Sequence, residues 1–209
     1  MSLVGTVRVR CPACGVERET KLVSSINTRS SPELKQQLLR GELNRHDCAC
    51  GKRVQLASNV LYHDPDADYY CQVCPGDARA IEAAAAGFRR SGATGTQRIV
   101  PSLNALIEKV KLLDAGLDDW AIELLKLVLL ASCGVSDLDR VLLFEARDRD
   151  LLHWVLFDEI GAPQALASPL AAYEELRRER ANARPKATDL QIDRAWAVDV
   201  LRTMFAGSN

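Results

Sequence analysis

Thiols are the side chains whose spacing most plainly implies chemistry. Cys11 and Cys14 sit in the run CPACG, and Cys48 and Cys50 sit in CACG. Each pair occupies a short segment closed by glycine, the arrangement by which a zinc ribbon brings four thiolates to one tetrahedral ion. A two-residue gap lets both sulfurs of a pair reach the same metal, while amides of the turn point at the thiolates and stabilise their charge. Glycine supplies the positive φ that such a turn requires. The second pair keeps only one residue between its cysteines, which makes a tighter turn.

Other residues compete for the same role. Cys71 and Cys74 in YYCQVCP also have a two-residue gap, and they offer a rival ligand pair, a redox pair, or simply two reduced cysteines on a strand. His46 and His63 lie close enough in sequence to replace a cysteine as ligand, although each alone reads as a surface or turn residue. CPAC has the form of a thiol–disulfide active site too. That chemistry needs the first thiol at a helix N-terminus, whereas VERETKLV, which follows here, reads as strand. Cys133, beside Gly134 at a helix end, reads as a small buried apolar residue.

The remaining polar clusters have plainer explanations. Asp64, Asp66 and Asp68 alternate like the first ligands of a calcium loop, but Tyr69 stands where glycine is needed and Pro75 where the closing glutamate belongs. A solvated turn fits better. Glu174, Glu175, Arg177, Arg178, Glu179 and Arg180 read as the exposed face of a helix. Arg147, Asp148, Arg149 and Asp150 compensate one another as a hairpin tip would. Asp118, Asp119 and Glu123 gather at a helix start, where the dipole favours negative charge. His153 reads as a satisfied half-buried residue rather than a general base. No glycine-rich phosphate loop, nucleophile elbow or metalloprotease helix occurs, so no residue nominates itself as catalytic.

The elements that must position the thiols begin with residues 6–10, which alternate polar and apolar as a half-buried strand does and lead directly into Cys11. Ser31 can cap a short helix with Pro32 at its first position, Leu34, Leu38 and Leu39 on one side, and Gly41 as its stop. Further strands are expected at residues 53–56 and 69–73. From Asp77 the pattern becomes helical, with Ile81, Ala84, Ala85 and Phe88 at helix spacing, and SGATGT at 91–96 suits a flexible connection. Beyond it, Leu103, Leu106, Ile107, Val110 and Leu113 form the apolar face of one helix, and Asp118 can cap a second that is apolar nearly all round between Leu124 and Leu130. Residues 141–145 and 151–157 read as a β-hairpin. Ser168-Pro169 opens another helix, and Asp189 opens a last one carrying Trp196, Val200 and Met204.

With 27 Lys and Arg against 28 Asp and Glu, the chain has no global basic field to attract nucleic acid or an anionic membrane. No apolar run is long enough to span a bilayer and the start lacks the apolar run of a secretory signal, so a cytoplasmic setting is expected, where seven cysteines are seldom disulfides and closely spaced pairs hold metal or do redox chemistry.

Taken together, CPACG, Ile26-Asn27 with SPELKQQLLRGELN, CACG, and LYHDPDADYY before Pro75 resemble the CpXC domain, a bacterial zinc-ribbon-like module. The resemblance covers about residues 7–75, and RIVPSLNALIEKVKLLDAGLDDWAIELLKLVLL is similar to the helical region that often follows the module. It implies Cys11, Cys14, Cys48 and Cys50 as ligands of Zn2+. It also implies apolar strand residues near Cys71 and Cys74. The single-residue gap of the second pair departs from the family's usual two, and the family implies no defined reaction.

The expected fold is α+β. A zinc-ribbon-like β-rich domain spans residues 1–75, a helix and linker 76–97, and a mainly α-helical domain 98–209 with a β-hairpin at 141–157. The expected function is that of a structural-zinc interaction or adaptor protein with a protein partner and no evident catalytic activity. A nucleic-acid-binding ribbon is the alternative, using Arg8, Arg10, Arg18, Lys21, Lys52 and Arg53, with Glu17, Glu19 and Asp47 interleaved among them. A thiol redox protein is the third reading.

Overall fold

The computed structural model describes residues 1–134, 140–157 and 160–206, the last three of these as backbone only. The chain forms two compact units, Met1–Ile107 and Glu108–Asn209.

The first unit is built on strands β1 (Leu3–Arg10), β2 (Glu17–Asn27), β3 (Arg45–Asp47), β4 (Arg53–Gln55), β5 (Val60–Asp64), β6 (Tyr69–Val73) and β7 (Thr96–Val100), with helix α1 (Pro32–Leu39) after β2 and α2 (Ala78–Ser91) before β7. Helix α3 (Leu103–Asp114) runs through the boundary between the units. Five strands make one mixed sheet in the order β1-β2-β5-β6-β7, and β3 and β4 form a separate two-stranded ribbon. Alternation decides the faces. Val60, Tyr62, Tyr69, Cys71 and Val73 are buried on one side, while Leu61, His63, Tyr70 and Gln72 between them are half-buried on the other. Ile26 of β2 and Leu38 of α1 are fully buried.

Residues 91–96 are tied into this unit rather than left as a loose connection. The Thr96 amide donates to the Asp68 carbonyl at 2.9 Å, and β7 then pairs in parallel with β6. Only glycine fits at position 95, because a Cβ there would lie 2.0 Å from the Asp68 carbonyl oxygen. Ser31 makes no side-chain cap to α1, which opens on Pro32.

In the second unit α4 (Asp119–Ser132) packs with β8 (Leu142–Asp148), β9 (Leu151–Phe157), β10 (Pro163–Pro169), α5 (Leu170–Glu179) and α6 (Arg194–Ala206). The chain is α+β, as expected, but this half is less purely helical than its sequence implied. The expected hairpin is present as β8–β9, and β10 joins it to give an antiparallel sheet in the order β10-β9-β8. β10 has proline at both ends and little apolar character, so its pairing with β9 rather than local pattern makes it a strand. Ser168-Pro169 accordingly ends β10, and α5 starts at Leu170. Asp193, not Asp189, accepts from an amide of the first turn of α6, that of Trp196 at 3.0 Å.

Phe144 and Trp154 meet edge to face with ring centroids 5.7 Å apart, in a core that includes Ile122, Leu124, Leu125 and Leu130 of α4. Helix α4 also buries charge. Lys126 Nζ lies 2.8 Å from Glu108 and 3.1 Å from Glu123, and Lys109 Nζ lies 2.9 Å from Asp119 and donates to the Ile192 carbonyl at 2.6 Å. Glu108 in turn accepts from the Phe144 amide at 2.6 Å, so it joins α3 to the edge of the sheet. Asp118 makes no side-chain cap to α4; its carboxylate holds Arg177, and its amide donates to the Tyr173 hydroxyl at 2.9 Å. Cys133, expected to be buried, is exposed because it lies just past the last turn of α4.

Candidate metal centre

Two turns built alike hold the four thiols. After β1, the Cys11 amide donates to the Val16 carbonyl at 2.9 Å and the Gly15 amide donates back to the Cys11 carbonyl at 2.9 Å. After β3, the Cys48 amide donates to the Lys52 carbonyl and the Gly51 amide to the Cys48 carbonyl, both at 2.9 Å. The missing residue of the second pair shortens that turn by one without removing either bond. Gly15 and Gly51 have φ of 72° and 86°, the left-handed region that side chains with a Cβ resist.

The sulfurs meet across the two turns. Cys11 Sγ lies 3.6 Å from Cys50 Sγ, Cys14 Sγ lies 3.6 Å from Cys48 Sγ, and all four lie within 4.8 Å of one another. A tetrahedral Zn2+ with Zn–S bonds of about 2.3 Å requires sulfur–sulfur edges of roughly 3.8 Å, so these thiols fit such an ion with little adjustment. Amides of Cys14 and Ala13 donate to the Cys11 sulfur and lower its pKa to about 6. The Val16 amide acts in the same direction on Cys14, but the Cys48 and Cys11 sulfurs beside it prevail and push that thiol up to about 12. One thiolate is thus ready-made, and crowding opposes charge on its neighbour. A divalent cation relieves that opposition. Four protein sulfurs fill a tetrahedral shell and leave no position for substrate, the pattern of a structural site.

These cysteines lie within residues 9–126, which match the model of a family described as CpXC protein. The chain belongs to the CpXC family. The match runs from the end of β1 into α4 and therefore takes in residues of both units. No curated protein and no solved structure matches the chain.

What aligns the two turns of this CpXC chain is a set of polar residues that spacing alone did not reveal. Asn44, buried and at φ 53°, accepts from the Val23 amide at 2.7 Å and donates to the Val23 carbonyl at 2.8 Å, so its side chain stands in for a strand neighbour of β2. Its own carbonyl accepts from the Leu56 amide and from Gln55 Nε2. Thr20 Oγ1 and His46 Nδ1 lie 2.6 Å apart and add a second tie between β2 and β3. Thus His46 is not the surface residue its sequence suggested. It is 4% exposed, on the strand that leads to Cys48, and it belongs to the frame rather than to the sulfur cluster. A histidine two positions before the cysteine pair is the one signal that pointed there.

Other sequence candidates fall elsewhere. Cys71 is buried on β6, and Cys74 just after it donates its amide to the Val100 carbonyl at 2.8 Å; neither belongs to the sulfur cluster. His63 stacks on Tyr70 at 4.2 Å. The Asp64 turn is closed by Lys35 at 3.6 Å and by Arg29 on Asp66 at 2.5 Å, and Asp64 itself is buried rather than solvated. His153 on β9 is half-buried. Within the expected basic patch, Arg8 lies 4.0 Å from Glu19 and Arg53 lies 3.6 Å from Asp47, which dilutes the field a phosphate backbone would meet. Among the described residues, no helix is long and apolar enough to cross a membrane.

Proposed function

We propose that Cys11, Cys14, Cys48 and Cys50 hold one Zn2+ as a structural centre, and that the chain acts as an interaction or adaptor protein in the cytoplasm. The observation that carries the reading is four thiols within 4.8 Å of one another on two facing turns. Zinc is favoured because a soft, four-sulfur set suits it and a reducing compartment keeps the ligands as thiols. In this reading the metal fixes the two turns and the loops around them, and a protein partner recognises the surface so formed. The absence of an open coordination position in a four-thiolate shell supports a binding role over a catalytic one.

Elemental analysis of protein purified without chelator tests the assignment. One zinc per chain, lost in the Cys11→Ser, Cys14→Ser double variant and retained in Cys71→Ser, Cys74→Ser, supports it. Zinc lost only in the second variant, or none in the wild type, overturns it. The adaptor role is tested by recovering partners with the wild-type chain and with the zinc-free variant. A specific partner bound only by the metal-loaded protein supports the role, and recovery of the same proteins by both removes the metal from it. Salt-dependent binding to short nucleic acids would move the reading to nucleic-acid recognition.

A further inference from the structure

A cleft of about 510 Å3 in the second unit is lined by Trp120, Glu174, Arg177, Arg178, Ala181 and Arg184. Its size falls within the usual range for small-molecule sites, and half of its lining residues are arginines. Trp120 is the second residue of α4, so the cleft sits beside a helix start, where the dipole favours negative charge. Arg177 and Arg178 come from the last turn of α5, a place where cations are favourable in any helix. Arg184 has no such explanation. It follows the 3-10 turn Ala181–Ala183, which brings it to the same cleft as the arginines of the helix.

The three arginines are not equivalent. Arg177 is fastened to Asp118 at the start of α4 and holds α5 against it. Arg178 and Arg184 are exposed, and among the described residues neither has a carboxylate partner; Glu174 is the one acid in the lining. Trp120 is 3% exposed, and its indole Nε1 is buried with no hydrogen-bond partner among the described residues. The cleft therefore sets two uncommitted cations beside a buried indole.

We propose that this cleft binds a small multivalent oxyanion, a phosphate- or polycarboxylate-bearing molecule, gripped by Arg178 and Arg184 against the Trp120 wall. The guanidinium fork matches the paired oxygens of either group, which a lysine ammonium would meet only as a point charge. Arg177 acts as a positioning residue through Asp118. The site is independent of the thiol cluster and stands whether or not the metal reading does.

The full chain labelled with 15N provides the test, because its three tryptophans give three indole N–H resonances. Trp120→Phe assigns the relevant one. Sodium pyrophosphate and sodium citrate are titrated separately at constant ionic strength. A saturable shift of the Trp120 resonance is expected, with that of Trp154, whose Nε1 donates to Ser168, unmoved. The double variant Arg178→Gln, Arg184→Gln should weaken binding by about tenfold or more while keeping the wild-type unfolding temperature. A response to pyrophosphate alone assigns a phosphate ligand, and a response to citrate alone assigns a carboxylate. No saturable shift with either up to about 10 mM, or undiminished affinity in the double variant, overturns the proposal.

Discussion

Asn44 shows how much one side chain contributes to this architecture. The cysteine turns need a fixed separation, yet β3 and β4 are only three residues each and lie outside the main sheet. Asn44 supplies the missing connection by bonding both backbone groups of Val23. Its replacement by alanine leaves a buried amide and a buried carbonyl unpaired, at a cost of about 2–4 kcal/mol. Chemical denaturation of Asn44→Ala should show that loss, and zinc measured on the same preparation should fall below one per chain. An Asn44→Ala protein with wild-type stability would mean that the ribbon is held without Asn44, by the Thr20–His46 tie and the thiol centre.

At the scale of elements, α3 and α4 are joined to the sheet of the second unit through buried charge. Glu108 accepts from both Lys126 and the Phe144 amide, so Glu108→Ala strands a backbone donor and leaves the Lys126 ammonium with Glu123 as its remaining carboxylate. Breaking a buried pair in this way costs about 3–5 kcal/mol, readable by denaturant unfolding monitored through tryptophan emission. Burial alone would lower the Lys126 pKa, but Glu108 and Glu123 outweigh it and raise the value above the ordinary 10.5. A group whose folded pKa is raised contributes fully below its unfolded pKa and loses that contribution as pH rises through the folded value. Stability measured from pH 8 to 12 should therefore hold level to about pH 10 with respect to this group and decline beyond. In Lys126→Met the alkaline decline should be shallower.

For the molecule as a whole, the metal reading predicts which half responds to chelation. All four thiols belong to the first unit, whereas Trp120, Trp154 and Trp196 belong to the second. Incubation with a strong chelator should reduce the β-sheet signal in far-ultraviolet circular dichroism and lower the first unfolding transition, because binding energy of the ion is folding energy for a site of this kind. Tryptophan emission should keep its native maximum at the same chelator concentration. Unchanged dichroism after complete metal removal would show that the sheet stands without the ion.

Local chemistry was legible in the sequence where it is self-contained. Two glycine-closed cysteine turns, a proline-led helix at α1 and the strands β6 and β9 all follow from residues a few positions apart, since backbone geometry and alternation act over that range. The same short range separates α3 from α4 and marks the charged hairpin tip between β8 and β9. What required the tertiary structure is everything made by residues far apart in the chain. β10 is a strand because β9 lies beside it, and residues 96–100 extend the first sheet because Gly95 can approach Asp68. Glu123 and Lys126 can occupy a helix that reads as apolar because each supplies part of the other's charge compensation. His46 and Asn44 serve the thiol turns through contacts with Thr20 and Val23 more than twenty positions away, and Arg184 reaches the cleft of Arg178 only after the chain has turned back. Polar groups in these places owe their roles to partners, and partners are set by the fold.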